Sequence, residues 1–233
     1  MHVELSLSTS SPIISLSEST SKPTQAIVTA RIIESVDSSS PITLQVDGNP
    51  LDGGHDSFHD APFRGALSTL EDITDKSRRI ILNPPVRVNY GSNHDKDLRK
   101  VTFMHFATIP AKGQGVLMVK YNLTLERLFK FQDYPGTLKR EDVKPGDKFQ
   151  LRMSNVNMIG WWAFGDLQGD LKEKKFVGDW ETPNADGKFD TLVEGEKSNV
   201  EMMKQDGWVF SEKRQDLNMT TDTDEGVVIE FVE

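Results

Sequence analysis

The chain of 233 residues contains no cysteine. That absence excludes a disulfide framework, a thiolate-ligated zinc site and a cysteine nucleophile. Long apolar runs are also missing: nothing approaches the roughly 18 residues that read as a membrane-spanning helix, so no membrane partner is expected. The opening Met1-His2-Val3-Glu4-Leu5-Ser6 has neither a basic segment nor a long apolar stretch behind it. A secretory signal is therefore not expected, and a cytoplasmic protein is the simplest reading. Positive charge is outweighed, 27 lysines and arginines against 36 acids for a formal net charge of −9, which speaks against nucleic-acid partners because these need a basic footprint. No Walker loop, dinucleotide fingerprint or Gly-x-Ser-x-Gly elbow occurs, so no cofactor is expected and serine-nucleophile chemistry has no support.

What the chain does have is turn chemistry and alternation. Its 17 glycines and 11 prolines punctuate short runs rich in valine, isoleucine, threonine and phenylalanine. Val3-Glu-Leu-Ser-Leu-Ser alternates apolar and polar with period two, as a half-buried strand does. Ile13 to Ser17, Ala26 to Ile33 and Ile42 to Val46 repeat the pattern, the last ending at Asp47-Gly48-Asn49-Pro50. Phe63 to Leu70, Arg79 to Leu82, Val86 to Asn89, Val101 to Ile109 and Val116 to Leu123 read as further strands. The last two are expected to pair through Pro110 to Gly115. Pro145-Gly146 sets a turn ahead of Phe149, Leu151 and Met153, which alternate with Lys148, Gln150 and Arg152. Thr124 is placed to N-cap a short helix over Leu125 to Gln132, with Glu126 in its first turn, while the odd-numbered Tyr121, Leu123, Leu125, Phe129 and Phe131 also fit an extension of the preceding strand.

The fold class that follows is all-β: an immunoglobulin-like antiparallel β-sandwich with one or two short helices. Residues 1–180 are expected to form the sandwich, and 181–233 a C-terminal extension packed on it. Asp166 to Lys175 is expected to hold a short helix, Val200 to Met203 a strand, and Asp216 to Gly226 a polar connection before the last strand at Val227 to Val232.

The order of signals resembles an uncharacterised family of filamentous-fungal cytosolic β-sandwich proteins. The likeness rests on Pro41 to Leu44, Phe63 to Ala66, Pro84 to Asn89, Phe106 to Pro110, Leu123 to Phe129, Lys144 to Met153 and Trp161-Trp162. It implies a β-sandwich and a fungal cytosolic origin, and it brings no established activity and no catalytic residues.

Two constellations carry chemical promise. In Gly53-Gly-His55-Asp56-Ser-Phe-His59-Asp60 the histidines lie four apart. On a helix they would share a face and, with Asp56 or Asp60, complete a metal site, with His94-Asp95 or His105 supplying a third ligand from another loop. His55, His59 and Asp60 would carry acid–base catalysis if the protein is an enzyme, because histidine titrates near neutrality. The second is the aromatic set Trp161, Trp162, Phe164, Trp180 and Trp208. It suits a sandwich core or a ligand pocket, with Trp161, Trp162, Phe164 and Trp180 as ligand-binding residues. Adjacent tryptophans on a strand point to opposite faces, so only one of Trp161 and Trp162 is expected to face the core. The leading expectation is a non-catalytic binding or interaction module for a small molecule or protein, with a small-molecule pocket near the tryptophans. The alternative is a cofactor-free or metal-assisted cyclase, isomerase or hydrolase of fungal small-molecule metabolism.

Overall fold

A computed structural model describes residues 1–17, 23–53, 66–84, 97–101, 104–154, 156–157, 159–177, 197–222 and 226–233. Among them the protein is all-β, with fourteen strands and two short helices. One sheet holds β1 (His2–Thr9), β3 (Thr24–Glu34), β8 (Leu117–Leu123) and β13 (Asn218–Thr221) in the order β13-β1-β3-β8. The facing sheet holds β2 (Ile13–Ser15), β5 (Thr69–Asp72), β6 (Arg79–Ile81), β9 (Lys148–Leu151) and β14 (Val227–Val232) in the order β2-β14-β9-β5-β6. A third sheet is β10-β4-β7, from β4 (Ile42–Gln45), β7 (Phe106–Ile109) and β10 (Trp162–Phe164). Short strands β11 (Lys175–Phe176) and β12 (Trp208–Val209) form a ribbon. The helices are α1 (Leu125–Leu128) and α2 (Lys197–Gln205); among the described residues no helix is long and apolar enough to cross a membrane.

The period-two pattern fixes which side of each strand is buried. Val3, Leu5 and Leu7 of β1, Ala26, Val28, Ala30 and Ile32 of β3, Phe149 and Leu151 of β9, and Ile229 and Phe231 of β14 meet in one core. Phe149 and Phe231 pack edge to face at 5.5 Å. Burying a side chain of this size contributes about 2–3 kcal/mol, and a slip of one residue would turn each such set toward solvent. Strand β9 starts where the sequence places it, after Gly146 at φ +93°, a conformation that glycine adopts without strain. The Thr124 hydroxyl accepts from the Arg127 N–H and caps α1, which is shorter than expected.

The sheets are not wholly antiparallel. At Ser10 to Pro12 the chain leaves the first sheet, and β2 joins the second beside β14 in parallel. Strands β1 and β13 also pair in parallel, as do β11 and β12. Register then shows where the long connections lie. His2 pairs with Glu34, Ala30 with Leu117, Thr69 with Ile81, and Leu151 with both Leu70 and Val227. The connections 35–68, 82–116 and 152–226 therefore all leave from the same end of the sandwich. Each donates one strand, β4, β7 and β10, to the third sheet. This end carries a built cap.

The cap accounts for several departures from expectation. Strands β7 and β8 do not form a hairpin, because β7 pairs with β4 in the cap and β8 with β3 in the sandwich. The loop between them turns through Gly113 at φ +79° and Gly115 at φ +138° to change sheets. Residues 166–174 form turns closed by Gly169 and Leu171 N–H groups on the Asp166 carbonyl, not a helix. Val200 to Met203 lies in helix α2, not a strand; methionine and lysine favour that state, and Gly207 at φ +81° ends it. The stretch 216–226 contains β13. Trp161 and Trp162 are both buried, at 0% and 2% exposure, because β10 is covered on both faces. Trp162 joins the sandwich core, while Trp161 and Ala163 join a cap cluster with Leu98, Leu171 and Phe176.

Candidate functional site

The cap brings together three side chains that are far apart in sequence. After β4 the chain turns at Asp47-Gly48: the Asn49 N–H bonds the Val46 carbonyl at 2.9 Å, and Gly48 sits at φ +69°, which a turn of this kind requires at its third position. A second turn follows, with the Asp52 N–H on the Asn49 carbonyl at 3.0 Å. The buried Asn49 side chain holds both turns, accepting from the Leu51 N–H and donating to the Val156 carbonyl. From β8 the Tyr121 hydroxyl reaches the carbonyls of Pro50 (2.6 Å) and Asp52 (3.0 Å). The loop is thus clamped to the sandwich.

His105 precedes β7 and continues its pairing with β4 by one rung. The His105 carbonyl accepts from the Val46 N–H, and the His105 N–H donates to Asp47 Oδ1, both at 2.9 Å. His105 Nδ1 then lies 3.1 Å from Asp52 Oδ1 and 3.5 Å from Asp47 Oδ1. The Asp52 side chain is 1% exposed and that of His105 29%. The other oxygens are held from behind: Asp47 Oδ2 accepts from Gln45 Nε2 at 2.9 Å, and Asp52 Oδ2 from the Gly48 N–H at 3.3 Å. Burial pushes the Asp47 carboxyl up to about 6; the nearby Asp52 charge adds to this, against the hydrogen bonds from Gln45 and His105.

Asp52 and His105 lie in an open cleft of about 620 Å³, among Met104, Phe106, Leu117 and Met118. Phe106 connects the cleft to the aromatic cluster: it packs edge on against Trp161 at 5.5 Å and Phe176 at 4.9 Å, and those two stack at 4.2 Å. Arg99 lies over Phe176 and donates to the Leu171 and Lys174 carbonyls. The Trp161 indole N–H is buried without a hydrogen-bond partner among the described residues.

Of the residues singled out from sequence, His55, His59, Asp60, His94, Asp95 and Trp180 lie outside the described residues. Trp162 lies in the core with its indole N–H on the Lys213 carbonyl, and Phe164 packs on it edge on at 5.5 Å. His105, read as a third ligand for His55 and His59, lies beside Asp47 and Asp52. Asp47 was visible only as a turn residue, and Asp52 carried no signal beyond lying in a polar loop. Comparison with family models, curated proteins and solved structures finds no match to this chain.

Proposed function

We propose that the protein is a non-catalytic binding module, an immunoglobulin-like sandwich that takes a small molecule in the cap cleft. The strand order supports the immunoglobulin-like reading. Strands β1-β3-β8 run as A-B-E and β6-β5-β9-β14 as C′-C-F-G, and β2 leaves the first sheet for the second. In variable-type sandwiches of that order the B–C and F–G loops share the ligand-binding end, and here the corresponding segments build the cap.

The observation that carries the binding reading is the cleft itself. Its volume of about 620 Å³ lies in the range of small-molecule sites, and its walls set the apolar Met104, Phe106, Leu117 and Met118 beside the polar Asp52, His105, Arg99 and Lys120. Trp161, one layer behind Phe106, would stiffen the wall rather than touch the ligand. Gly53 offers the test, because a Cβ there meets only Val119 Cγ1 at 3.7 Å, so Gly53→Leu fills the cleft without a backbone clash. Native mass spectra of protein from its own host should show a mass released on denaturation, and Gly53→Leu should lose it. A bare polypeptide that also binds nothing from a metabolite extract would end this reading.

A second reading, a cofactor-free or metal-assisted enzyme, is favoured by the His105 Nδ1–Asp52 Oδ1 pair at 3.1 Å, since a buried carboxylate orients an imidazole for proton transfer. His105→Gln would then abolish turnover of the released compound while its binding persists.

A further inference from the structure

We infer that Asp47, Asp52 and His105 bind a divalent transition-metal ion of the zinc class at the base of the cleft. The inference deepens the binding reading and rests on it, because the ion needs an open side on which to meet a ligand.

The geometry comes first. A carboxylate oxygen of Asp47, one of Asp52 and a ring nitrogen of His105 all lie within 4.8 Å of one another, and His105 Nδ1 stands 3.1 Å from Asp52 Oδ1 and 3.5 Å from Asp47 Oδ1. Tetrahedral zinc with ligands near 2.0–2.1 Å requires donor–donor separations of about 3.3 Å. The two carboxylate oxygens therefore stand from the imidazole at the spacing an ion would impose. They are also held there by groups the ion would not displace. Gln45 Nε2 and the Gly48 N–H occupy the far oxygens of the two carboxylates, and such outer partners orient ligands toward a metal. The clamp from Tyr121 and the Val46–His105 rung fix the two backbone segments relative to each other.

The donor set then selects the ion. One imidazole nitrogen with two carboxylate oxygens suits zinc and its neighbours, whereas magnesium and calcium prefer all-oxygen shells. Two carboxylates balance a dication without excess charge. Three protein ligands among the described residues leave a fourth position, as in zinc sites that exchange a water for substrate. Asp52 and His105 line the cleft, so that position faces it. A ligand would then coordinate through a carboxylate, hydroxamate-like or phenolate oxygen while its apolar part lies against Phe106 and Met118.

The test titrates Co2+ into EDTA-stripped full-length protein, follows the visible d–d bands, and displaces Co2+ with Zn2+. One equivalent should bind with the intense bands of a four- or five-coordinate site, and Zn2+ should remove it while equal Mg2+ or Ca2+ should not. His105→Gln and Asp52→Asn should each weaken Co2+ at least tenfold; should Asp52→Asn fail to fold, the half-buried His105→Gln still decides. Absence of Co2+ binding, binding equal in both variants, or ready displacement by Mg2+ overturns the inference. Loss of Co2+ on His59→Gln but not on His105→Gln also overturns it. If Co2+ does not bind yet Gly53→Leu loses a released small molecule, the ion falls and the cleft stands. If Co2+ binds and no small molecule is found, the reverse holds.

Discussion

Two aspartate pairs sit at opposite ends of the sandwich, and they are partnered differently. Away from the cap, Asp72 and Asp147 share Arg78, which bonds Asp72 and reaches Asp147 Oδ2 at 2.6 Å. In the cap, Asp47 and Asp52 share His105. Arginine does not lose its proton in proteins and meets carboxylates with a rigid fork, so the first trio has one stable charge state. The Asp147 carboxyl is held below its usual range, first by the Arg78 hydrogen bond. Burial pulls Asp72 the other way, yet the Thr74 and Asp75 hydrogen bonds and the Arg78 charge hold it down as well. In the cap the Asp47 carboxyl is pushed up, chiefly by burial. The same pair of carboxylates is a structural clasp at one end and an adjustable, ion-ready cluster at the other.

The largest expected break in this contrast is Arg78→Met. It leaves the nearly buried Asp72 without its counter-charge, and removing one partner of such a pair costs about 3 kcal/mol. Guanidinium unfolding should record that loss, together with a flatter acid limb. In the native protein, carboxyls lowered by Arg78 contribute stability above the unfolded value near 4 and lose it as pH falls through their lowered values.

The cap should behave with the opposite sign. Asp47 is raised from 3.8 to about 6, so its contribution is complete below about pH 4 and is lost as pH rises toward 6. Asp47→Asn in metal-free protein should therefore raise stability by about 2 kcal/mol at pH 7.5 and leave it unchanged at pH 4. Denaturant curves at the two pH values check this, and an equal gain at both would remove the contrast.

Smaller effects sharpen it. Thr124→Ala, which removes the α1 cap beyond the far end, should cost about 1 kcal/mol and leave the cleft ligand's affinity unchanged by calorimetry. His105→Gln should cost less still in EDTA, about 0.5 kcal/mol, while thermal stabilisation by Zn2+ disappears. A large loss without metal would make His105 a structural residue like Arg78.

The sandwich was legible because burial on one face writes alternation into a strand, as in Val3, Leu5 and Leu7, or Phe149 and Leu151. The Pro145-Gly146 and Asp47-Gly48 turns were legible for a similar local reason, since each needs a backbone state that few residues adopt. The cap was not. Strand β10 is covered on both faces, so Trp161 and Trp162 point to opposite sides as alternation requires and yet both end in a core. Val200, Met202 and Met203 read as a strand because local apolar content cannot tell strand from helix over so few residues. The site was half legible: His105 stood out by residue type, but its partners lie across a long connection and are joined only by the β4–β7 register. Pairing between loops that meet at one end of a fold is a non-local fact, and no local period encodes it.

The length of the connection between β9 and β14 also sets a sequence of events in time. A ribosome releases β9 long before β14, and residues 152–226 must all emerge in between. Until then the second sheet lacks the strand that joins β2 to β9, and the apolar faces of Phe149 and Leu151 wait without Ile229 and Phe231. Closing so long a loop is slow, and an open, apolar strand edge invites association with other chains. The long insertion between β9 and β14 thus leaves the β9 edge of the newborn second sheet open until the last strand of the chain is made.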